Sequence, residues 1–379
     1  MKPLFRVATS TFLLTTLLLV AFDFSLAVLN PLKRVSDLGL SGLNYYYVVA
    51  KLPQYMASPQ KADVVLTGSS LWLYPSVRTE DDFAGNKTRY DAPYVCQRID
   101  ECSTSRYFES LLPGRHQVAN LGTAGALMSD QYCVLKRLVG CAKKPSLLIC
   151  DLSPREFLDN NQPDPVKTPV YLVLSDMTGI GDILAMGRDF SASCDYLFGA
   201  ASNCFRSRRD LRLFVVNFAA GLAARPASLL DGKPAKKLDL TSITHPAVIP
   251  VYTPPVGAFQ TDLLHYKKMY LPINPKSRDT QMRYFRQYLE LAKKEHIPVL
   301  CVWMPLPQAN LALLPKDELA QITAHADKLA TEYGATVYRP TEPYGNEDFE
   351  DAAHMNLSGG KKLFKELAVA AASLLPPQR

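Results

Sequence analysis

The sequence lacks the patterns that mark several large classes of protein. It has no P-loop, no GxGxxG turn, no zinc-type Cys/His spacing and no stripe of interleaved basic and aromatic residues. Charged residues are only 21% of the 379, and the formal net charge is a mild +6. These absences argue against a nucleotide-binding, zinc-dependent or nucleic-acid-binding protein. We therefore expect no metal, no cofactor and no nucleic-acid partner.

Hydrophobic residues make up 47% of the chain, which is typical of a globular protein rather than a disordered one. The length allows one large domain or two ordinary ones.

One long apolar run stands near the N-terminus, at residues 7–29, after Lys2 and Arg6. It is long enough to cross a bilayer as a helix, provided that Asp23 lies near the outer interface. Its uncharged core is also typical of a signal peptide, and Ser-Leu-Ala at 25–27 is an acceptable cleavage site. The sequence thus predicts either a single-pass membrane anchor with an extracytoplasmic domain, or a signal segment whose cleavage leaves a secreted protein. We assign residues 1–30 to this segment and residues 31–60 to a juxtamembrane stretch.

Cysteine is scarce, with eight in the chain. Two pairs lie close together in polar, loop-like segments, so local disulfides are predicted in an oxidising compartment: Cys96 with Cys102, and Cys194 with Cys204. The alternative is that all thiols are free. Cys150 and Cys301 lie in apolar, strand-like runs and are expected to be buried free thiols.

Short apolar runs alternate with helical patterns over most of residues 61–379. Strands are predicted at 62–67, 117–121, 146–152, 297–304 and 335–338, and helices at 105–112, 125–139, 279–296, 316–333 and 358–375. Ser358 is the expected N-cap of the last helix. This alternation predicts an α/β domain with a parallel sheet covered on both faces. In such a sheet the functional site lies at the carboxyl ends of the strands.

Residues 156–276 interrupt this alternation, because they contain many prolines and no clear strand–helix unit. We interpret them as a cap insertion over the site. Within them, residues 204–225 begin with basic side chains and continue as an apolar run. This segment is either a helix of the cap core with a solvated basic end, or a surface for membranes or anionic glycans.

Three short motifs fall at predicted strand ends. They are Gly-Ser-Ser at 68–70, NLGTAG at 120–125 and DAAH at 351–354. Ser70 is a candidate nucleophile, His354 its base and Asp351 the acid that orients the imidazole. Backbone N–H groups of Ser70 and Gly125 are candidate oxyanion donors. Each motif alone is also typical of a turn or a helix cap, but together they favour a Ser/His/Asp site.

The same motifs resemble the SGNH/GDSL hydrolase superfamily. Its first block carries the nucleophile, an Asn-x-x-x-x-Gly block supplies an oxyanion glycine, and a terminal Asp-x-x-His completes the triad. The GSS block, the Val-Trp-Met-Pro at 302–305 and the DAAHMN at 351–356 are similar to membrane-anchored members, such as teichoic-acid D-alanylation and alginate O-acetylation proteins. The resemblance covers residues 60–155 and 278–375. It implies a three-layer, doubly wound parallel sheet of flavodoxin-like strand order, with the N-terminal hydrophobic helix and the cap insertion added to it.

Two positions depart from the superfamily pattern. Ser69 replaces the Asp of the first block, which is not a triad position. After the third predicted strand the chain reads DLSPRE at 151–156, where the superfamily has an Asn that donates to the oxyanion. Ser153 and Arg155 are candidate substitutes. Losing such a donor without replacement costs roughly 3–4 kcal/mol of transition-state stabilisation.

The resemblance implies an exported serine esterase or O-acyltransferase that acts on O-acyl groups of an envelope or secreted polysaccharide. Its partners would be that polymer, the membrane and a membrane acyl-donor protein. The alternative is a non-catalytic binding partner in a polysaccharide-modifying complex, which the missing Asn favours.

Overall fold

The computed structural model describes residues 2–29, 51–52, 55–85, 104–161, 201–206 and 258–376, with a few isolated positions between 165 and 198. The chain divides into two compact units. One comprises Met1–Tyr46 and Ser175–Ile249, and the other comprises Tyr47–Leu174 and Pro250–Arg379. Each unit is described separately below.

The second unit is an α/β domain built on a five-stranded parallel sheet. Its strands are β1 (Val64–Thr67), β2 (Val118–Asn120), β3 (Leu147–Leu152), β4 (Val299–Trp303) and β5 (Thr336–Tyr338). The order across the sheet is β2-β1-β3-β4-β5, and every neighbouring pair is parallel. The predicted α/β class and the predicted strand order are confirmed.

Helices of the α/β unit cover both faces of this sheet. Numbered in chain order through both units, the described helices are α1 (Lys2–Leu29), α2 (Ser70–Phe83), α3 (Arg106–Leu111), α4 (Met128–Gly140), α5 (Pro154–Leu158), α6 (Asn203–Arg206), α7 (Ala258–Tyr270), α8 (Pro275–Lys294), α9 (Gln308–Leu311), α10 (Lys316–Tyr333) and α11 (Leu357–Ala372). Of these, α1 and α6 belong to the other unit. The step from β1 to β2 runs in the opposite direction to the later steps, so right-handed crossovers place their helices on opposite faces. Accordingly α2, α3 and α11 pack together, and α4, α8 and α10 form the second group.

The central strands are buried because they are covered on both sides. All four residues of β1 and all six of β3 are inaccessible to solvent, which explains their continuous apolar sequences. Val64 of β1 pairs with Val118 on one side and Leu147 on the other. The carboxyl ends of β1, β2 and β3 therefore lie side by side, and the loops that leave them can share one site.

Two local features differ from the expectations. Helix α2 begins directly at Ser70 and contains Pro75, a residue that normally ends a helical pattern in sequence. The N-cap of α11 is Asn356 rather than the predicted Ser358, because the Asn356 side chain accepts from the N–H groups of Ser358 and Gly359.

The cap insertion predicted over residues 156–276 stays a prediction. Of this range, the part before Ser175 and the part after Ile249 belong to the α/β unit, and Ser175–Ile249 groups with Met1–Tyr46. Helix α7 lies in the last part and packs on α5 and α9 of the α/β domain. Most of residues 204–225 lies outside the described residues, so the two interpretations of that segment remain predictions.

The other unit contains α1 and α6. The Asp23 carboxylate of α1 accepts hydrogen bonds from Ser202 Oγ at 2.6 Å and from the Cys204 N–H at 2.7 Å, which joins the two segments. Across the described part of the chain, no helix is both long and apolar enough to traverse a bilayer. The anchor or signal role of residues 1–30 stays a prediction, and residues 31–50 lie outside the described residues.

None of the described cysteines forms a disulfide. The predicted bridge between Cys194 and Cys204 is not formed, since both sulfurs are unpaired and the Cys204 backbone is tied to Asp23 instead. Cys96 and Cys102 lie outside the described residues. The expectation for Cys150 and Cys301 is confirmed: both are buried on adjacent strands, with their sulfurs 3.4 Å apart.

Candidate active site

Ser70 is the first residue of α2, directly after the turn that leaves β1. Ser69 caps the helix by accepting from the Leu71 N–H at 3.3 Å. Ser69 is fully buried and donates both its N–H and its hydroxyl to Asp151 Oδ2, at 2.7 and 2.8 Å. The structure therefore gives the two serines different positions: Ser69 is held inside, and Ser70 projects from the end of the helix.

Asp151, at the end of β3, secures this turn. Its Oδ1 accepts from Gln131 Nε2 at 2.8 Å, and a Cβ on Gly68 would lie only 2.2 Å from the same oxygen. Only glycine fits there. Burial raises the pKa of Asp151 well above its usual range, and the charge of Glu156 adds to the effect. The carboxyl end of β3 thus fixes the backbone that carries Ser70.

The structure brings Ser70, His354 and Asp351 together from opposite ends of the chain. Ser70 Oγ lies 2.8 Å from His354 Nε2, and His354 Nδ1 lies 2.6 Å from Asp351 Oδ2. Asp351 Oδ1 also accepts from the backbone N–H groups of Ala353 and His354, at 2.8 and 2.7 Å. The carboxylate is therefore aimed at the imidazole, and the imidazole at the hydroxyl.

The electrostatics of the pair match this geometry. Burial lowers the pKa of His354, but the charge and the hydrogen bond of Asp351 raise it more, so the net pKa is above the ordinary value. Burial raises the pKa of Asp351, but the charge of His354 and its hydrogen bonds lower it further, so the net pKa is below the ordinary value. Asp351 therefore stays ionised and favours a proton on His354.

The loop that carries Asp351 and His354 is held from three sides. Glu350 forms a 2.7 Å ion pair with Arg78 of α2, and both side chains are largely buried. The Ala352 carbonyl accepts from Asn310 Nδ2 at 2.8 Å, and the Tyr270 hydroxyl lies 2.9 Å from Asn310 Oδ1. Helices α2, α7 and α9 thus fix the position of the imidazole.

The turn after β2 lies against the nucleophile turn. The Thr123 N–H donates to the Gly68 carbonyl at 2.8 Å. Asn120 supports the turn from within, since its Oδ1 accepts from the Gly122 N–H at 3.0 Å and its Nδ2 donates to Ser76 Oγ at 2.8 Å. A Cβ on Gly122 would lie 3.1 Å from the Ser69 carbonyl, so a side chain there would push the two turns slightly apart.

Gly125 adopts φ +77°, a conformation that favours glycine. Within the described residues, neither its N–H nor that of Ser70 donates a hydrogen bond to the protein. These are the two groups that the sequence predicts as oxyanion donors, and both are available to a ligand.

Ser153 and Arg155 are the predicted substitute oxyanion donors, but their side chains bind other groups of the protein. Ser153 caps α5, donates its hydroxyl proton to Glu156 and accepts from the Arg155 N–H at 3.3 Å. Arg155 is buried, and its guanidinium donates to the carbonyls of Gly125 and Ala126, at 2.9 and 3.0 Å. Its charge is balanced by Asp159 at 2.7 Å. Arg155 therefore holds the Gly125 turn in place, and Ser153 has no spare proton to donate.

Two further residues belong to the site although the sequence analysis did not select them. The Tyr74 ring stacks on the His354 imidazole, with centroids 3.9 Å apart and planes at 16°. The sequence feature that indicates Tyr74 is its position four residues after Ser70, which places it on the same face of a helix. Asn310 had no sequence signal, since it connects α9 to a carbonyl 42 residues away.

Comparison with known proteins adds no relatives. No protein-family model matches the chain, and no curated protein matches it either. Within the described residues, no group of three or more His, Cys, Asp or Glu is arranged to hold a metal ion. Function is therefore inferred from the fold, the site geometry and the sequence motifs.

Proposed function

We propose that this protein is an SGNH-like serine esterase or O-acyltransferase that works through an acyl-serine intermediate. The observation that carries the proposal is the continuous hydrogen-bonded chain of Ser70, His354 and Asp351. Ser70 Oγ lies 2.8 Å from His354 Nε2, and His354 Nδ1 lies 2.6 Å from Asp351 Oδ2. A serine hydroxyl is a poor nucleophile until a base takes its proton, and here the base is within hydrogen-bond distance. The 2-1-3-4-5 sheet, with the site at its carboxyl edge, supports the same assignment.

In the first half-reaction, Ser70 Oγ attacks the acyl carbonyl while His354 Nε2 takes the hydroxyl proton. Asp351 stabilises the imidazolium that forms. The N–H groups of Ser70 and Gly125 stabilise the oxyanion of the tetrahedral intermediate. His354 then returns the proton to the departing alcohol, leaving the acyl group on Ser70.

In the second half-reaction, a glycan hydroxyl or water replaces the departed alcohol. His354 takes its proton, the new oxygen attacks the acyl-serine, and Ser70 recovers its proton as it leaves. Transfer and hydrolysis share every step up to the acyl-serine. They differ only in the nucleophile of the second half-reaction. Which one dominates depends on how well the bound acceptor excludes water.

We propose an envelope or secreted polysaccharide as the acyl-bearing substrate, and export of the enzyme through its N-terminal segment. The apolar residues 7–29 support export, and the motif resemblance supports the polymer. An enzyme tethered to the membrane would meet a tethered or emerging polymer at high effective concentration. A membrane protein would then supply the acyl donor.

The test is labelling with a fluorophosphonate, which reacts with activated serines, followed by peptide mapping. We expect one adduct, on Ser70, that is lost in Ser70→Ala and strongly weakened in His354→Ala. Ser110→Ala is the matched control, because Ser110 is an exposed serine whose hydroxyl donates only to a local carbonyl. Folded protein that gives no adduct, or an adduct on another serine, would overturn the proposal.

The second candidate function is that of a non-catalytic SGNH-fold partner in a polysaccharide-modifying complex. It is favoured by the third block, where the superfamily Asn is missing and the side chains of Ser153 and Arg155 are already engaged. Folded, unlabelled protein that binds the polymer would establish this function instead.

A further inference from the structure

The face of the His354 imidazole is covered by a side chain from the same helix that carries Ser70. Tyr74 lies one helical turn after Ser70, and residues four apart share a helix face. The two rings are nearly parallel, at 16°, with centroids 3.9 Å apart. One helix therefore supplies both the hydroxyl at the edge of the imidazole and the ring on its face.

The two hydrogen bonds of the imidazole leave one motion unrestrained. Asp351 binds Nδ1 and Ser70 binds Nε2, and such bonds are strongest when they lie near the ring plane. They fix where the ring edges point, but the ring can still rock about the line that joins the two nitrogens. A ring stacked on one face blocks that rocking.

Stacking also stabilises the positively charged form of the His354 ring. An aromatic face carries negative potential, and a cation over it gains about 0.5–1 kcal/mol at exposed sites and more when desolvated. His354 becomes an imidazolium when it accepts the Ser70 proton. The tyrosine face therefore favours the protonated ring more than the neutral one.

We propose that Tyr74 is a positioning residue, which holds the His354 ring in plane with Ser70 and Asp351 and stabilises its imidazolium form through face-to-face stacking. The proposal deepens the proposed function and rests on it for its catalytic meaning. Other charged groups also act on His354, namely Asp351 and Glu350 of its own loop, Arg155 of α5 and Asp262 of α7. A substitution at Tyr74 leaves all of these in place.

A filler role alone predicts different behaviour. Tyr74 is half-buried and packs on Val77. If it only filled space, Leu or Met would replace it with small changes in stability and no change at His354. If it stacks as proposed, the ring matters and the phenolic oxygen does not, so Phe should replace it and aliphatic side chains should not.

The experiment uses the full chain in four forms: wild type, Tyr74→Leu, Tyr74→Met and Tyr74→Phe. The pKa of His354 is followed by NMR titration of its ring, assigned by comparison with His354→Gln. The rate of fluorophosphonate labelling at Ser70 is measured in parallel. Tyr107→Leu is the matched control, because Tyr107 is also half-buried but packs on Phe83 and Phe364.

We expect Tyr74→Leu and Tyr74→Met each to lower the His354 pKa by roughly half a unit, as a loss of about 0.5–1 kcal/mol implies. The maximal labelling rate should fall about tenfold or more, while the reagent concentration for half-maximal rate changes little. Tyr74→Phe should restore both quantities, and Tyr107→Leu should change neither. Urea unfolding shows which variants are folded.

Two results would overturn the proposal. One is a folded Leu or Met variant with the His354 pKa and labelling rate of the wild type. The other is a Phe variant that behaves like Leu, which would assign the effect to the hydroxyl. The titration also separates this proposal from the proposed function: a pKa shift in a protein whose Ser70 is never labelled would retain the stacking role and refute the catalytic one.

Discussion

Among the described residues, Asp351, Ser70 and Tyr74 each contact a different part of the His354 imidazole. Asp351 lies at Nδ1, Ser70 at Nε2 and Tyr74 on the face. Of these, Asp351 determines when the ring can act as a base, because its charge and hydrogen bond hold the pKa of His354 above the ordinary value despite burial. A base must be deprotonated to accept the Ser70 proton.

Replacement of Asp351 by Asn should therefore change both the rate and its pH dependence. In the wild type, labelling of Ser70 should rise with pH through a pKa above the usual histidine value. In Asp351→Asn this rise should occur at lower pH, since the anion that favours the protonated ring is gone. The maximal rate should fall by up to about 10⁴-fold, because the tautomer is no longer fixed.

The measurement is the second-order labelling rate constant between pH 5 and 9. Asp317→Asn, an exposed carboxylate at the start of α10, is the matched control and should follow the wild-type profile. If the labelling rate of Asp351→Asn rises at the same pH as that of the wild type, this carboxylate does not act on the histidine.

Helices α2 and α11 meet closely, and this contact determines where the His354 loop lies. A Cβ on Gly360 would be 3.0 Å from Pro75 Cβ, and a Cβ on Gly359 would be 2.3 Å from the Asp348 carbonyl. The double glycine at the start of α11 is thus explained by close approach at two points. The loop between Asp348 and Gly359 contains both Asp351 and His354, so the contact bears directly on the site.

Substitution of Gly359 by Ala tests the second of these approaches, that of Gly359 to the Asp348 carbonyl. Alanine gains up to about 1 kcal/mol of helix propensity, but the clash involves a backbone oxygen and overpacking costs about 1–3 kcal/mol. We expect a net loss of roughly 1–2 kcal/mol in urea unfolding and slower labelling of Ser70. Val369→Ala, at an exposed position of the same helix, should leave labelling unchanged and raise stability by only about 0.5 kcal/mol through helix propensity. A stabilised, fully reactive Gly359→Ala would disprove the tight contact.

The whole molecule has two units, and every residue assigned to the chemistry lies in one of them. Ser70, Gly125, Asp351 and His354 all fall within Tyr47–Leu174 and Pro250–Arg379, as do the described residues that hold them. The chemistry should therefore not require the other unit, which comprises Met1–Tyr46 and Ser175–Ile249. Acceptor choice is a separate property, and we expect the predicted cap insertion to control it.

Replacing residues 175–249 by a short flexible linker tests this division. We expect Ser70 to keep a labelling rate within a few-fold of the wild type, because α7, which packs on α5 and α9, is retained. Selectivity among polysaccharide acceptors should fall in the same protein. Removal of residues 156–276 is the informative contrast, since it also deletes Tyr270 and should abolish labelling. Equal labelling in both deletions would contradict the role given to α7.

The sequence alone determined the sheet and its functional edge. Apolar runs such as residues 62–67 specify buried strands, and their alternation with helices specifies parallel pairing, because these signals are local and periodic. Residues that directly follow such strands must lie at the carboxyl edge. That is why Ser70 and Gly125 could be selected without a structure, and the terminal DAAH motif could be placed beside them.

Only the tertiary structure decided which side chains touch. The Asp151 bonds to Ser69 span 82 residues, and the Asn310 bond to the Ala352 carbonyl spans 42. Such contacts leave no periodic trace, because they depend on how helices and strands pack rather than on their own sequences. The roles of Arg155 and Ser153 changed for the same reason: only packing shows that their donors already bind the protein.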